Sequence, residues 1–127
     1  DDRRRNREVV TDAIAKPKRK SSTSPTQRSL KWLRDNGYVA QVVERWNQFA
    51  KVRQDLFGFI DIVAMNGFEI VAIQATSNHA NHAARRTKIA QSPNFPLWIA
   101  SGGKMEIHSW HKPTKTLPWR IKVERMA

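Results

Sequence analysis

The sequence predicts an α/β domain with a central mixed sheet flanked by helices. Three observations predict it. Segments of helical and strand periodicity alternate in the order α-β-β-β-α-β-β-β. An Asn66-Gly67 pair separates two apolar runs, the strongest short hairpin signal. Those two runs are apolar on both faces, as expected of central strands covered by helices. The length of 127 residues fits one domain.

The elements follow in order. A helix begins at Pro25-Thr26, with Leu30, Trp32 and Leu33 at helical spacing. It stops at Asp35-Asn36-Gly37, where glycine supplies the left-handed cap. Residues 38–46 are Val-rich with aromatic ends and read as a strand. Residues 47–55 read as a polar, basic connection. Residues 56–65 and 68–76 are the hairpin strands, the first interrupted by Gly58 and Asp61. Ser77-Asn78 caps a helix from about His79 to Gln91, which carries Arg85, Arg86 and Lys88. Pro93 and Pro96 bracket a break. Residues 97–100 read as a short buried strand, Gly102-Gly103 as a turn, and residues 105–110 and 119–125 as the last two strands.

Composition narrows the function. There is no cysteine, which excludes disulfides, cysteine-bound metals and a cysteine nucleophile. No apolar run approaches the ~18 residues of a membrane span. The first twenty residues are mostly charged, so no secretory leader is expected, and a cytoplasmic location is. That means the host cytoplasm for a viral protein. Net charge is +12, with 23 Lys and Arg against 11 Asp and Glu. Such an excess points to a polyanion, most often nucleic acid. Residues 1–25 hold eight basic and four acidic residues, net +4, and read as a basic, partly flexible arm. Residues 26–127 form the single expected domain and carry net +8, so the folded part is basic too.

Asp61 and Gln74 stand inside the hairpin, where an unpaired carboxylate is costly. A two-residue Asn66-Gly67 turn would set Asp61 opposite Ala72, Phe59 opposite Gln74 and Phe57 opposite Thr76. Side chains alternate with period two, so Asp61, Gln74 and Thr76 would share one sheet face. Such an oxygen-rich pocket suits Mg²⁺ or Mn²⁺, which take one or two carboxylates and borrow phosphate oxygens. The plain alternative is an Asp61–Gln74 hydrogen bond or an Asp61–Arg salt bridge.

These residues resemble the PD-(D/E)XK nuclease superfamily, within it the Holliday-junction-resolvase-like and phage-type small nucleases. The resemblance rests on Phe59-Ile60-Asp61-Ile62-Val63-Ala64 followed by Ile73-Gln74-Ala75-Thr76-Ser77, on the approach Asp55-Leu56-Phe57-Gly58, and on the order α-β-β-β-α-β. It covers about residues 26–110. It implies a restriction-endonuclease-like core and Mg²⁺-dependent endonucleolytic hydrolysis of DNA. Asp61 would then be the central metal ligand. Gln74 would take the Glu/Gln position, with the Ala75 carbonyl as a further ligand. Thr76 falls where the family has its lysine and cannot carry that charge, so Lys88, Arg85 and Arg86 are candidates for a migrated cation. Gln27 occupies the position of a first-helix Glu. Glu44 is the candidate replacement ligand, ahead of Asp55, which precedes the strand.

Arg28, Lys31, Arg34, Arg85, Arg86 and Lys88 are the expected phosphate contacts, and His79 a further one. With no base-reading motif, selection by DNA structure is expected rather than by sequence. A branched substrate implies a homodimer, since two opposed sites are needed. No membrane or small-molecule cofactor is expected. The rival classes are a non-catalytic nucleic-acid-binding module on a degenerate nuclease scaffold and a basic RNA-binding protein. The pairs His79/His82 and His108/His111 are weak zinc candidates. Trp110, next to His111 and Lys112, is the best base-stacking candidate.

Overall fold

The computed structural model describes residues 23–126. Most of the basic arm lies outside the described residues. The chain folds as α1 (Pro25–Asp35), β1 (Val39–Val42), β2 (Arg45–Asn47), β3 (Val52–Gln54), β4 (Ile62–Met65) and β5 (Ile70–Thr76). A 3-10 turn (His79–Asn81), α2 (His82–Gln91), α3 (Phe95–Ala100), β6 (Lys104–His111) and β7 (Arg120–Arg125) follow. Five strands form one mixed sheet in the order β1-β4-β5-β6-β7. Only β5 and β6 are parallel, and α2 and α3 make the crossover between them. The α/β class and the flanked mixed sheet are therefore present.

Each face of the sheet carries its own core. Leu30 and Leu33 of α1 pack on Ala40, Ile62, Ala64, Val71 and Ile73. On the other side, Ile89 of α2 packs with Phe59, Ile60, Ala72, Met105 and Ile107, and Trp98 of α3 joins them. α1 starts as its sequence dictates. Ser24 Oγ accepts from the Gln27 N–H, proline occupies the first turn, and Gly37 closes the far end at φ 89°. Under α1 lies a polar chain. Ser29 Oγ meets both His108 and Trp110, His108 meets Glu106, and Arg125 bridges Glu106 and Glu69. No described helix is long and apolar enough to cross a membrane.

Several elements differ from expectation. The run 38–46 is two strands: β1 leaves the main sheet at Val43, and β2 pairs with β3 in a separate hairpin. The supposed connection 47–55 is the rest of that hairpin. The strand expected over 56–65 is β4 alone. Residues 56–60 form a tight turn closed by a Leu56–Ile60 bridge, with Phe57 and Gly58 both at positive φ. The Asn66-Gly67 loop has four residues, not two. Asn66 Oδ1 accepts from the Phe68 and Glu69 N–H groups, and β4 and β5 pair as Ile62–Ile73 and Val63–Ala72. The register thus moves by two. Asp61 stands just before β4 and does not face Ala72; nor does Phe59 face Gln74 within the ladder. Residues 97–100 are helical, not extended, because Pro96 starts a helix on the Asn94 cap.

That short helix explains one glycine. The Trp98 ring lies directly on Gly103, and its Nε1 donates to the Lys104 carbonyl at 2.8 Å. A Cβ at position 103 would overlap the ring. Gly103→Ala is expected to lose about 1–3 kcal/mol, read as a thermal midpoint lowered by roughly 5–15 °C in circular dichroism.

Candidate functional site

The site forms where β1 and β5 end, β4 begins and the β2–β3 hairpin leaves the sheet. Glu44 precedes β2, Asp55 follows β3 and Asp61 precedes β4, so a chain excursion brings three carboxylates together. One oxygen of each lies within 4.8 Å of the others. They line a cleft of about 370 Å³ together with Arg53, Thr76, Arg85 and Lys88. Ala75 also lines it, and its N–H donates to Asp61 Oδ2 at 3.0 Å.

The electrostatics are uneven. Burial, helped by the neighbouring carboxylate of Asp55, pushes Asp61 up to about 8, although the Ala75 N–H partly offsets this. Burial works the same way on Asp55, but hydrogen bonds from Asp61 and Lys88 and the Lys88 charge outweigh it, and its pKa falls. The pair is thus driven apart, Asp61 towards its protonated form and Asp55 towards its charged form. Glu44 has Arg53 at 3.7 Å. Hard oxygen donors concentrated this tightly could hold Mg²⁺ or Mn²⁺.

Gln74 is fully buried and bonded on every side. Its Nε2 donates to Asp55 Oδ2 (3.2 Å) and to the Phe59 carbonyl (2.9 Å). Its Oε1 accepts from Arg85 (3.1 Å) and Lys88 (3.4 Å). The Gln74 oxygen therefore faces two cations, not the carboxylate cluster. Lys88 Nζ also lies 2.6 Å from Asp55 Oδ2. Both cations come from α2, three residues apart, hence from one helix face. Thr76 lines the cleft with a buried Oγ1 that has no hydrogen-bond partner.

The other expected contacts are spread out. Arg86 is held by Glu124 at 2.6 Å and does not line the cleft. Arg28 stacks on Trp119, 3.7 Å from the ring centroid, and donates to the Thr23 carbonyl. Lys31 pairs with Asp35, and Arg34 donates to the Ala40 carbonyl. His79 and His111 bond each other at 2.9 Å, while His108 is buried in the chain under α1. Gln27 is exposed and does not line the cleft; Pro25 and Thr26 do. Sequence reasoning set Asp55 behind Glu44, whereas the structure unites both with Asp61. Two acids bracketing ten acid-free residues were the available signal. Comparison with protein-family models, curated proteins and solved structures finds no match to this chain.

Proposed function

We propose that the chain is a metal-dependent endonuclease of the PD-(D/E)XK type, hydrolysing DNA phosphodiesters chosen by structure rather than sequence. One observation carries this: the Glu44–Asp55–Asp61 cluster shares its cleft with Lys88 and Arg85. Acids alone repel a phosphate and cations alone only bind one. Both together fit phosphoryl transfer. With the β2–β3 hairpin set aside, the helix, three antiparallel strands, crossover helices and parallel strand also suit a restriction-endonuclease-like core.

Asp61, Asp55 and Glu44 would hold Mg²⁺ or Mn²⁺. Bound there, the ion supplies charge neutralisation at the phosphate and makes water more acidic. The chain's own residues do the rest. Asp61 would serve as a ligand in its charged form. Gln74 fixes Lys88 and Arg85 through its carbonyl oxygen and Asp55 through its amide. Those cations offset the charge that grows on phosphate oxygens as a water oxygen bonds to phosphorus and one P–O ester bond breaks. The water's proton ends on the leaving oxygen. On a junction two such sites are needed, and the proposal then includes a homodimer.

Thr76, in the lysine position of the family pattern, favours a second reading: a nucleic-acid-binding module without activity. One assay separates them. Labelled four-way junction, flap and plain duplex are incubated with Mg²⁺, Mn²⁺ or chelator. Metal-dependent cleavage of the branched substrates is expected. Binding without cleavage under either metal sinks the nuclease and leaves the binding module.

A further inference from the structure

We propose that the β2–β3 hairpin is a wedge that stacks its aromatic side chains on unpaired bases beside the scissile phosphate. This rests on the nuclease function for its substrate class: DNA interrupted by a gap, flap or junction.

The hairpin stands on the site itself. Glu44 opens its first strand and Asp55 closes its second, so its stem is two of the three clustered carboxylates. Residues 45–54 carry Arg45, Lys51 and Arg53 and no acid, a charge complementary to a phosphate backbone. Phe49 at the tip is 97% exposed and Trp46 is 54% exposed. Trp46 pairs with Arg53 and therefore shares its face, and Arg53 lines the cleft. Isolated exposed apolar residues are ordinary. Here they sit on an arm that, among the described residues, pairs only with itself, so no described core explains them.

The tip is also held in shape. Asn47 Oδ1 accepts from the Phe49 and Ala50 N–H groups, both at 2.9 Å, and the Lys51 N–H closes on the Asn47 carbonyl at 2.8 Å. Lys51 keeps a left-handed backbone at φ 60° to do so. A fixed turn presenting a bare phenyl ring loses little freedom on binding. The bases of intact duplex are already stacked on each other and offer no face. Unpaired bases do, and aromatic stacking on them is indifferent to sequence. Phe49 lies five residues from Glu44, at most ~17 Å along extended chain. Cleavage should therefore fall within roughly five nucleotides of the unpaired bases, at ~3.4 Å per nucleotide.

The test uses the full chain and gapped DNA with 2-aminopurine in the gap, read by fluorescence and anisotropy in chelator. The wild type should quench the probe and prefer gapped over intact duplex. Phe49→Ala should lose about tenfold in affinity for gapped DNA and its quenching, with plain duplex binding unchanged. Phe49→Tyr should keep both. Phe49→Leu separates stacking from mere apolar contact, and should behave like Phe49→Ala. An unchanged Phe49→Ala affinity, or equal loss on both DNAs, overturns the wedge. Because binding is read without metal, the two proposals fail separately. Quenching without cleavage on adding Mg²⁺ or Mn²⁺ removes the nuclease and keeps the wedge. Cleavage indifferent to Phe49→Ala removes the wedge alone.

Discussion

Asp61→Asn should abolish cleavage and at the same time make the metal-free protein more stable. Asp61 is 5% exposed and lies against Asp55 and Glu44. Asparagine has the shape of the protonated acid: its oxygen can still accept from the Ala75 N–H, and its amide can donate towards Asp55. What it lacks is the ability to become a charged ligand. Activity should fall at least ~100- to 1000-fold, the scale of losing a central charge-stabilising group. The stability effect follows from the raised pKa. The folded chain keeps a proton on Asp61 up to about pH 8, whereas the unfolded chain releases it near pH ~4. That contribution is fully present below pH ~4 and is lost as pH rises to about 8. Wild-type thermal midpoint should therefore decline between pH 5 and 8, and Asp61→Asn should lack that decline. The variant's gain at pH 8 is of order 1–3 kcal/mol. Mg²⁺ should stabilise the wild type more at pH 8 than at pH 6, and Asp61→Asn little at either. Unchanged cleavage by Asp61→Asn would remove Asp61 from the site.

Such a residue was readable in the sequence because a carboxylate among apolar neighbours has few explanations. The first helix, the pairing of the two hairpin strands and the basic helix are readable for the same kind of reason, since periodicity and caps are local. Geometry that depends on a loop was not. Asn66-Gly67 suits a two-residue turn, but the Asn66 side chain caps two further N–H groups and the loop takes four. A shift of two leaves the alternation of side chains unchanged. Asp61 and Gln74 therefore still meet the same partner, Asp55. Asp55 itself was undervalued because the break at Val43 and Glu44 is invisible in a run of β-formers. Without that break there is no hairpin, and nothing returns the chain to Glu44. Residues 97–100 show the same limit: four apolar residues suit a buried strand or a buried helix equally. Pro96 in the first turn and the packing of Trp98 on Gly103 decide together.

The cation is the remaining expectation, and it has the second large effect. Lys88→Met should cost about 100-fold or more in cleavage while DNA binding weakens only a few-fold, because one of many phosphate contacts is lost. Arg85→Met should cost less, about tenfold, since Arg85 reaches Gln74 whereas Lys88 also bonds Asp55. Lys88 differs in touching both Asp55 and Gln74, so of these two α2 cations it is the one that meets a carboxylate of the cluster directly. The rescue is the sharper measurement. Thr76 lines the same cleft, and its buried hydroxyl has no partner to lose. Adding Thr76→Lys to Lys88→Met puts an ammonium group back beside the carboxylates from β5 instead of α2. Part of the lost rate should return, with its Mg²⁺ requirement intact. If Lys88→Met cleaves within twofold of the wild type, the helix cation does not stabilise the reacting phosphate. A Lys88→Met loss that Thr76→Lys leaves uncorrected would mean that the cation must approach the phosphate from α2, on the side where Gln74 holds it.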